Sequence, residues 1–236
     1  MSARNLHITE TAERFPEFHV AAVIVDWPGG AARSGRLAAE VAAREADCRA
    51  RWTGVDLSAI PGIAAWRSAY RGFGIKKTSY RSSVERLVKR VLAGDSLPAI
   101  HPLVDIYNAV SLTHVMCLGA DDLDRVTGDL AFRFARPGDS FVDMAGAEGE
   151  DPNDPPKEGE VVYADAAHVL CRRWNWRQDV RSVVSPATRR AVVTVQANGW
   201  GDLDAAVADL TGWIGRELGG ACRVATADRT RTTVAL

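Results

Sequence analysis

Nine consecutive residues, Cys171-Arg172-Arg173-Trp174-Asn175-Trp176-Arg177-Gln178-Asp179, set three arginines, two tryptophans, two amides and a carboxylate side by side. Guanidinium forks hold phosphate or carboxylate oxygens, and indole faces stack on flat groups. Together they suit a ligand with an anionic part and a base-like part. The same residues also suit a strand or turn whose tryptophans cap a core while the arginines lie in water. Arg172, Arg173 and Arg177 are candidates to hold the anion, and Trp174 and Trp176 to stack. Asp179 is a candidate to fix an arginine or receive an amino group. Asn175 and Asp179 are as well suited to capping a turn.

A second set lies on a predicted helix from His101 to Met116, with Pro102 near its first turn. Leu103, Ile106, Val110 and Thr113 share one side. Val104, Asn108, Ser111 and Val115 share the next, which puts polar groups beside the apolar stripe where a pocket wall would stand. Asn108 and Ser111 are candidates to orient a substrate or a water. His114 either reaches the same space or is a structural residue at the helix edge. Asp105 reads as a first-turn carboxylate favoured by the helix dipole. A third set, Lys76, Lys77, Tyr80 and Arg81, precedes a basic helix and is a candidate contact for a nucleic-acid backbone.

Several other chemistries have no motif. There is no G-x-S-x-G elbow and no H-E-x-x-H, and the histidines at 7, 19, 101, 114 and 168 are scattered. Gly72-Phe-Gly-Ile-Lys-Lys-Thr78 lacks both the G-x-x-x-x-G-K-[ST] spacing and the third glycine of G-x-G-x-x-G. Cys48, Cys117, Cys171 and Cys222 form no C-x-x-C pair, so neither a zinc knuckle nor a redox dithiol is expected. No metal and no cofactor are expected. The 236 residues are 47% hydrophobic and 25% charged, with a net charge of −1, which fits a globular chain and announces no nucleic-acid binder. The charge is blocked, however. Eight Lys/Arg oppose one acid between Arg67 and Arg90, and six arginines oppose Asp179 between Cys171 and Arg190, while twelve acids oppose four bases between Asp121 and Glu160. Such blocks can line a basic groove on a neutral molecule or lie on unrelated solvated faces. The expectation is a reduced, cytoplasmic protein with no signal peptide and no membrane partner.

The elements that must position these residues follow from pattern. Val20–Val25 is an unbroken apolar run and reads as a buried strand. Helices are predicted over Ala31–Arg51, Ile60–Arg71, Ser82–Leu92 (with capping-box spacing from Ser82 to Glu85) and from Asp202 to Leu218. Further strands are predicted over Asp129–Ala135, Phe141–Met144, Val161–Tyr163, Val169–Trp174, Val192–Ala197 and Ala221–Ala227, and a mobile loop over Ala145–Glu160. Strands come in runs as well as alternating with helices, so the expected class is α+β: a mixed or antiparallel sheet flanked by helices.

The segments Leu97–Leu112 (including Val104-Asp-Ile-Tyr-Asn108), Asp122-Leu-Asp124, Thr127-Gly128 and Cys171–Asp179 together resemble the editing domain of the phenylalanyl-tRNA synthetase beta subunit. That domain is built from the subunit's third and fourth B modules, and free-standing relatives of it occur. The likeness spans roughly Lys76 to Arg190. It implies one domain over residues 1–236, with a core over 76–190 completed by 1–75 and 191–236. It also implies a pocket between sheet and helices that accepts the 3′ end of a mischarged tRNA and hydrolyses the aminoacyl ester, with no metal and no covalent nucleophile. Asn108 matches the family's pocket asparagine, and Asp122 and Asp124 match the carboxylates after it. The synthetase's Gly-Gln-Pro-Leu-His stretch has no counterpart: Val115–Ala120 aligns there, with Gly119 nearest the histidine. No synthetase catalytic core fits in the chain. The expected function is thus a stand-alone deacylase for aminoacyl-tRNA, with a non-catalytic RNA-binding adaptor or a small amino-acid or nucleoside binder as alternatives. DNA is not an expected partner.

Overall fold

A computed structural model describes residues 4–29, 32–76, 80–144 and 154–236. Two sheets carry the fold. The first has four antiparallel strands: β2 (Phe18–Asp26) and β8 (Arg190–Asn198) at the centre, with β9 (Ala221–Ala227) and β3 (Cys117–Asp122) at the edges, in the order β3-β8-β2-β9. β2 and β8 pair over nine residues, Phe18 opposite Asn198 through Asp26 opposite Arg190. Both are buried nearly throughout, which is why they read as continuous apolar runs rather than as alternation.

The second sheet is mixed. It joins β1 (Asn5–His7), β4 (Leu130–Phe134), β5 (Val161–Ala164), β6 (Val169–Arg172), β7 (Arg177–Gln178) and β10 (Thr233–Ala235) in the order β10-β1-β4-β5-β6-β7. Only β1 and β4 run parallel. The class is α+β, as expected.

Among the described residues six helices complete the frame: α1 (Thr9–Arg14), α2 (Gly35–Trp52), α3 (Pro61–Gly72), α4 (Ser83–Leu92), α5 (Pro102–His114) and α6 (Leu203–Leu218). Side chains cap four of them: Ser34 accepts from Leu37 N, Ser82 from Glu85 N, His101 from Leu103 N and Asp202 from Ala205 N. Glu85 does not close the capping box. It is buried and instead accepts from Arg67 (2.7 Å) and Arg81 (2.9 Å). α5 packs on α2, α6 and β3 and is buried on almost every side. It stops two residues earlier than the periodicity predicts, because Val115 takes a left-handed conformation (φ 53°) and Met116 turns into β3.

Other differences are local. Phe141–Met144 contributes isolated bridge residues, among them Asp143 opposite Asp179, rather than a strand. The strand predicted over Val169–Trp174 ends at Arg172. Residues 145–153 of the predicted loop lie outside the described residues. Trp174 is the centre of the aromatic core, with ring centroids 4.9 Å from Phe15, 4.8 Å from Phe18 and 5.3 Å from Trp66.

Candidate functional site

β3 ends one sheet and β7 ends the other. The two edges face each other, and a cavity of about 400 Å³ lies between them, walled by α4 and α5. Edge strands leave backbone donors and acceptors unpaired, so a gap between two edges is a natural place for a polar ligand. Gln178 of β7 spans part of the gap: its amide nitrogen donates to the carbonyl of Ala120 (2.7 Å) and to Asp121 Oδ1 (3.0 Å), both on β3.

The helix and the Trp/Arg run meet here. Asn108 from α5 and Asn175, Trp176 and Arg177 from the hairpin between β6 and β7 all line the cavity. Asn108 is nearly buried, and its side-chain amide makes no hydrogen bond among the described residues, so it is available to a ligand. Asn175 is already engaged: it accepts from the Tyr70 hydroxyl (2.9 Å) and donates to Gln196 Oε1 (3.1 Å), whose amide donates to Thr194 (3.0 Å). Arg177 reaches the cavity paired with Asp143. The Trp176 ring carries two guanidiniums, Arg173 at 4.3 Å and Arg177 at 4.5 Å, and meets Tyr80 edge-on at 5.2 Å. Its stacking partners are therefore cations of the chain itself.

The hairpin explains how neighbouring residues go to different places. Arg173 (φ 45°) and Trp174 (φ 67°) are consecutive left-handed residues. Such residues are strained without glycine, and each costs about 1–3 kcal/mol. The turn sends Trp174 into the core and Trp176 to the cavity. Arg173 lies over the Tyr80 and Trp176 rings, 3.8 Å from the first, with Nε and Nη1 buried and unbonded, and burial holds its guanidinium below the ordinary range.

The remaining sequence candidates lie elsewhere. Ser111 is buried and donates to the carbonyl of Met116 (2.5 Å), tying off the end of α5. His114 bonds Asp209 on α6 (3.1 Å), in a cluster with Arg44. Arg172 is buried in ion pairs with Glu160 and Asp154. Asp179 is buried, accepts from Val142 N and Arg181, and caps a short 3-10 turn over Val180–Ser182. Arg81 is bound to Glu85, and Lys76, Tyr80 and Arg81 line a separate cavity of about 130 Å³ with Arg67 and Arg71. Lys77 lies outside the described residues. Of the two matched carboxylates, Asp122 accepts from Thr188 (2.6 Å) and caps a turn, and Asp124 is exposed.

Asp121, Tyr163, Arg86 and Arg90 are among the cavity residues that have no place among the sequence candidates. Arg86 and Arg90 are one turn apart on the face of α4 that also presents Ser83 and Leu87, a spacing readable from the helix period. Arg86 donates to the carbonyl of Trp176 (2.8 Å) and Arg90 to that of Ser96 (2.6 Å). Asp121 follows Gly119 by two residues on β3 and would have been found had Cys117–Asp122 been recognised as a strand. A Cβ on Gly119 would meet nothing within 4 Å, so the position nearest the synthetase histidine is open space.

The electrostatics divide the cavity. Burial pushes the Asp121 carboxyl up from 3.8 to about 7, against hydrogen bonds from Ser182 (2.6 Å) and Gln178 that pull it down, and Asp165 and Asp179 raise it further. Burial also raises Tyr107, Tyr163 and Cys171 on the same walls, so these stay protonated near neutrality. The Tyr163 hydroxyl is buried with no hydrogen-bond partner among the described residues. The lining thus combines arginines from α4, one raised carboxylate, a free amide and neutral phenols. Among the described residues no three His, Cys, Asp or Glu side chains are grouped to hold a metal ion, and no helix is long and apolar enough to cross a membrane.

An α+β chain with a ligand-sized cavity between two sheet edges, walled by a Val-Asp-Ile-Tyr-Asn helix, is the class that these features define. A family model described as the B3/4 domain matches residues 65–199, more than half the chain, and the chain belongs to that family. It is 41% identical over 68 residues to a phenylalanine–tRNA ligase beta subunit of Mycobacterium leprae (strain TN). That match covers 28% of this chain and 8% of the relative, so the chain corresponds to a small part of it. A crystal structure of an N-terminal fragment of the phenylalanyl-tRNA synthetase beta subunit from Pyrococcus horikoshii superposes with a TM-score of 0.45 at 10% identity, over 92% of this chain and 50% of that one.

Proposed function

We propose that the chain is a stand-alone B3/4 module that takes the aminoacylated 3′ end of tRNA into the cavity and hydrolyses the ester of a mischarged amino acid. The observation that carries this reading is that Asn108 and Trp176, from the two segments of the resemblance, line one cavity together. Ester hydrolysis needs an oriented water and help for the developing oxyanion, and both can come from neutral groups. The unengaged Asn108 amide orients the ester or its water. Arg86 and Arg90 line the same cavity and supply guanidinium groups to hold the terminal phosphate. Exposed Ile100 and Met144 line the same cavity and offer an apolar surface to an amino-acid side chain.

The test is a panel of mischarged tRNAs with purified protein. Release of amino acid above the buffer rate is expected for at least one tRNA, with Asn108→Ala slowing it by about 10²-fold or more. If every tRNA decays at the buffer rate, the deacylase reading is wrong. The second reading, a non-catalytic RNA-binding module, rests on the absence of a side chain at Gly119. It requires that tRNA still bind, and that binding weaken steeply with salt.

A further inference from the structure

Asp121 is buried, yet no cation is among the groups that act on it most; the charged ones are Asp165 and Asp179, both acidic. Ser182 and Gln178 both donate to Oδ1, which leaves Oδ2 without a hydrogen bond among the described residues. A carboxylate held away from water with no counter-charge is costly, and it is retained where something supplies the charge. The Tyr163 hydroxyl, on the wall of the same cavity, is likewise buried without a partner, and Asp121 acts on it electrostatically. Asp121 and Tyr163 therefore offer this cavity two unused acceptors, one of them an anion, in a lining whose arginines sit on α4 and on β7. The chemical complement is a small cation with several hydrogens to donate, and a primary ammonium fits that description.

We propose that Asp121 Oδ2, with the Tyr163 hydroxyl oxygen of the same cavity, receives the free α-ammonium group of the ligand. The cavity is then selective for aminoacyl groups with an unblocked amine over N-acylated ones. This rests on the aminoacyl reading of the cavity and names the feature of the substrate that it selects. Asp121 is a specificity residue here: it anchors one end of the aminoacyl group so that the ester falls near Asn108.

The test uses 3′-aminoacylamino-3′-deoxyadenosines carrying glycyl, alanyl or phenylalanyl groups, each with its amine free or acetylated. Their amide link resists hydrolysis. Binding to the full chain is measured by calorimetry near neutral pH. In the wild type, acetylation is expected to weaken binding by about tenfold or more, the worth of a charge-assisted hydrogen bond. Asp121→Asn keeps the oxygen that Ser182 and Gln178 bond and removes the charge, so the preference should fall below about twofold. Equal affinity for free and acetylated forms in the wild type, or an undiminished preference in the variant, overturns the role of Asp121 and leaves the aminoacyl reading standing. Binding of no analogue at all overturns both. The wild-type ratio decides the matter even if the variant does not fold.

Discussion

Replacing Asp121 with asparagine is expected to stabilise the chain, and to do so more strongly at high pH. The folded-state carboxyl titrates at about 7 instead of its ordinary 3.8. Between those two values the folded chain holds a proton that the unfolded chain has released, so stability falls as pH rises through that window. Each unit is worth about 1.4 kcal/mol. Across the whole window, from 3.8 to about 7, the loss reaches about 4 kcal/mol, and above about pH 7 it is constant. Asparagine has nothing to titrate, so the gap between variant and wild type isolates this one group. From pH 5 to pH 8 the gap should widen by about 3 kcal/mol, which for a chain of this length is about 6–12 °C in melting temperature.

Urea unfolding of both proteins at pH 5 and pH 8, with matched slopes, measures the gap directly. The sign is the opposite of that for a salt-bridged aspartate, whose removal destabilises a protein most at high pH. A gap that stays the same at the two pH values would refute the reasoning, because it would mean that Asp121 has a compensating charge. Addition of an amine-bearing analogue should narrow the gap at pH 8, since a bound ammonium supplies the missing charge. A buried group that weakens the fold and faces a cavity is what a binding role leaves behind in a structure.

Three other changes separate the core from the site. Trp174→Ala removes the hub of the aromatic cluster and should cost about 3–5 kcal/mol in urea unfolding. His114→Ala breaks the bond to Asp209, and neither residue lines the cavity, so it should cost about 1 kcal/mol and leave deacylation at the wild-type rate while Asn108→Ala lowers it. Gly119→Ala adds a Cβ to open space and should leave the melting temperature unchanged while weakening analogue binding, whereas Gly62→Ala drives a Cβ to 2.2 Å from the Val115 carbonyl and should destabilise markedly.

What the sequence reveals depends on whether a residue's surroundings leave a periodic trace. Val20–Val25 is legible because a central strand covered on both faces must be apolar throughout. α4 and α6 are legible because Ser82 and Asp202 carry their caps in the sequence. β1 and β10 are three residues each and carry no pattern at all. β3 is hidden for a different reason: one end abuts α5 and its outer edge faces the cavity, so its burial never alternates. That concealment removed Asp121 from the list of candidates, although the run Gly119-Ala-Asp121 lies inside the resemblance. The Trp/Arg run failed in the other direction. Composition alone made Arg172, Trp174 and Asp179 equal to Trp176 and Arg177, because two left-handed residues at Arg173 and Trp174 have no compositional signature. Only that turn decides which side chains enter the core and which reach the ligand. The same limit separates Asn108 from Ser111 and His114. All three share a helix, but the helix rotates Ser111 toward its own C-terminal carbonyl and His114 toward α6, and only Asn108 faces the gap between the sheets. A single polar residue at one helical phase, opposite a strained hairpin, is therefore the smallest unit from which this cavity could have been anticipated.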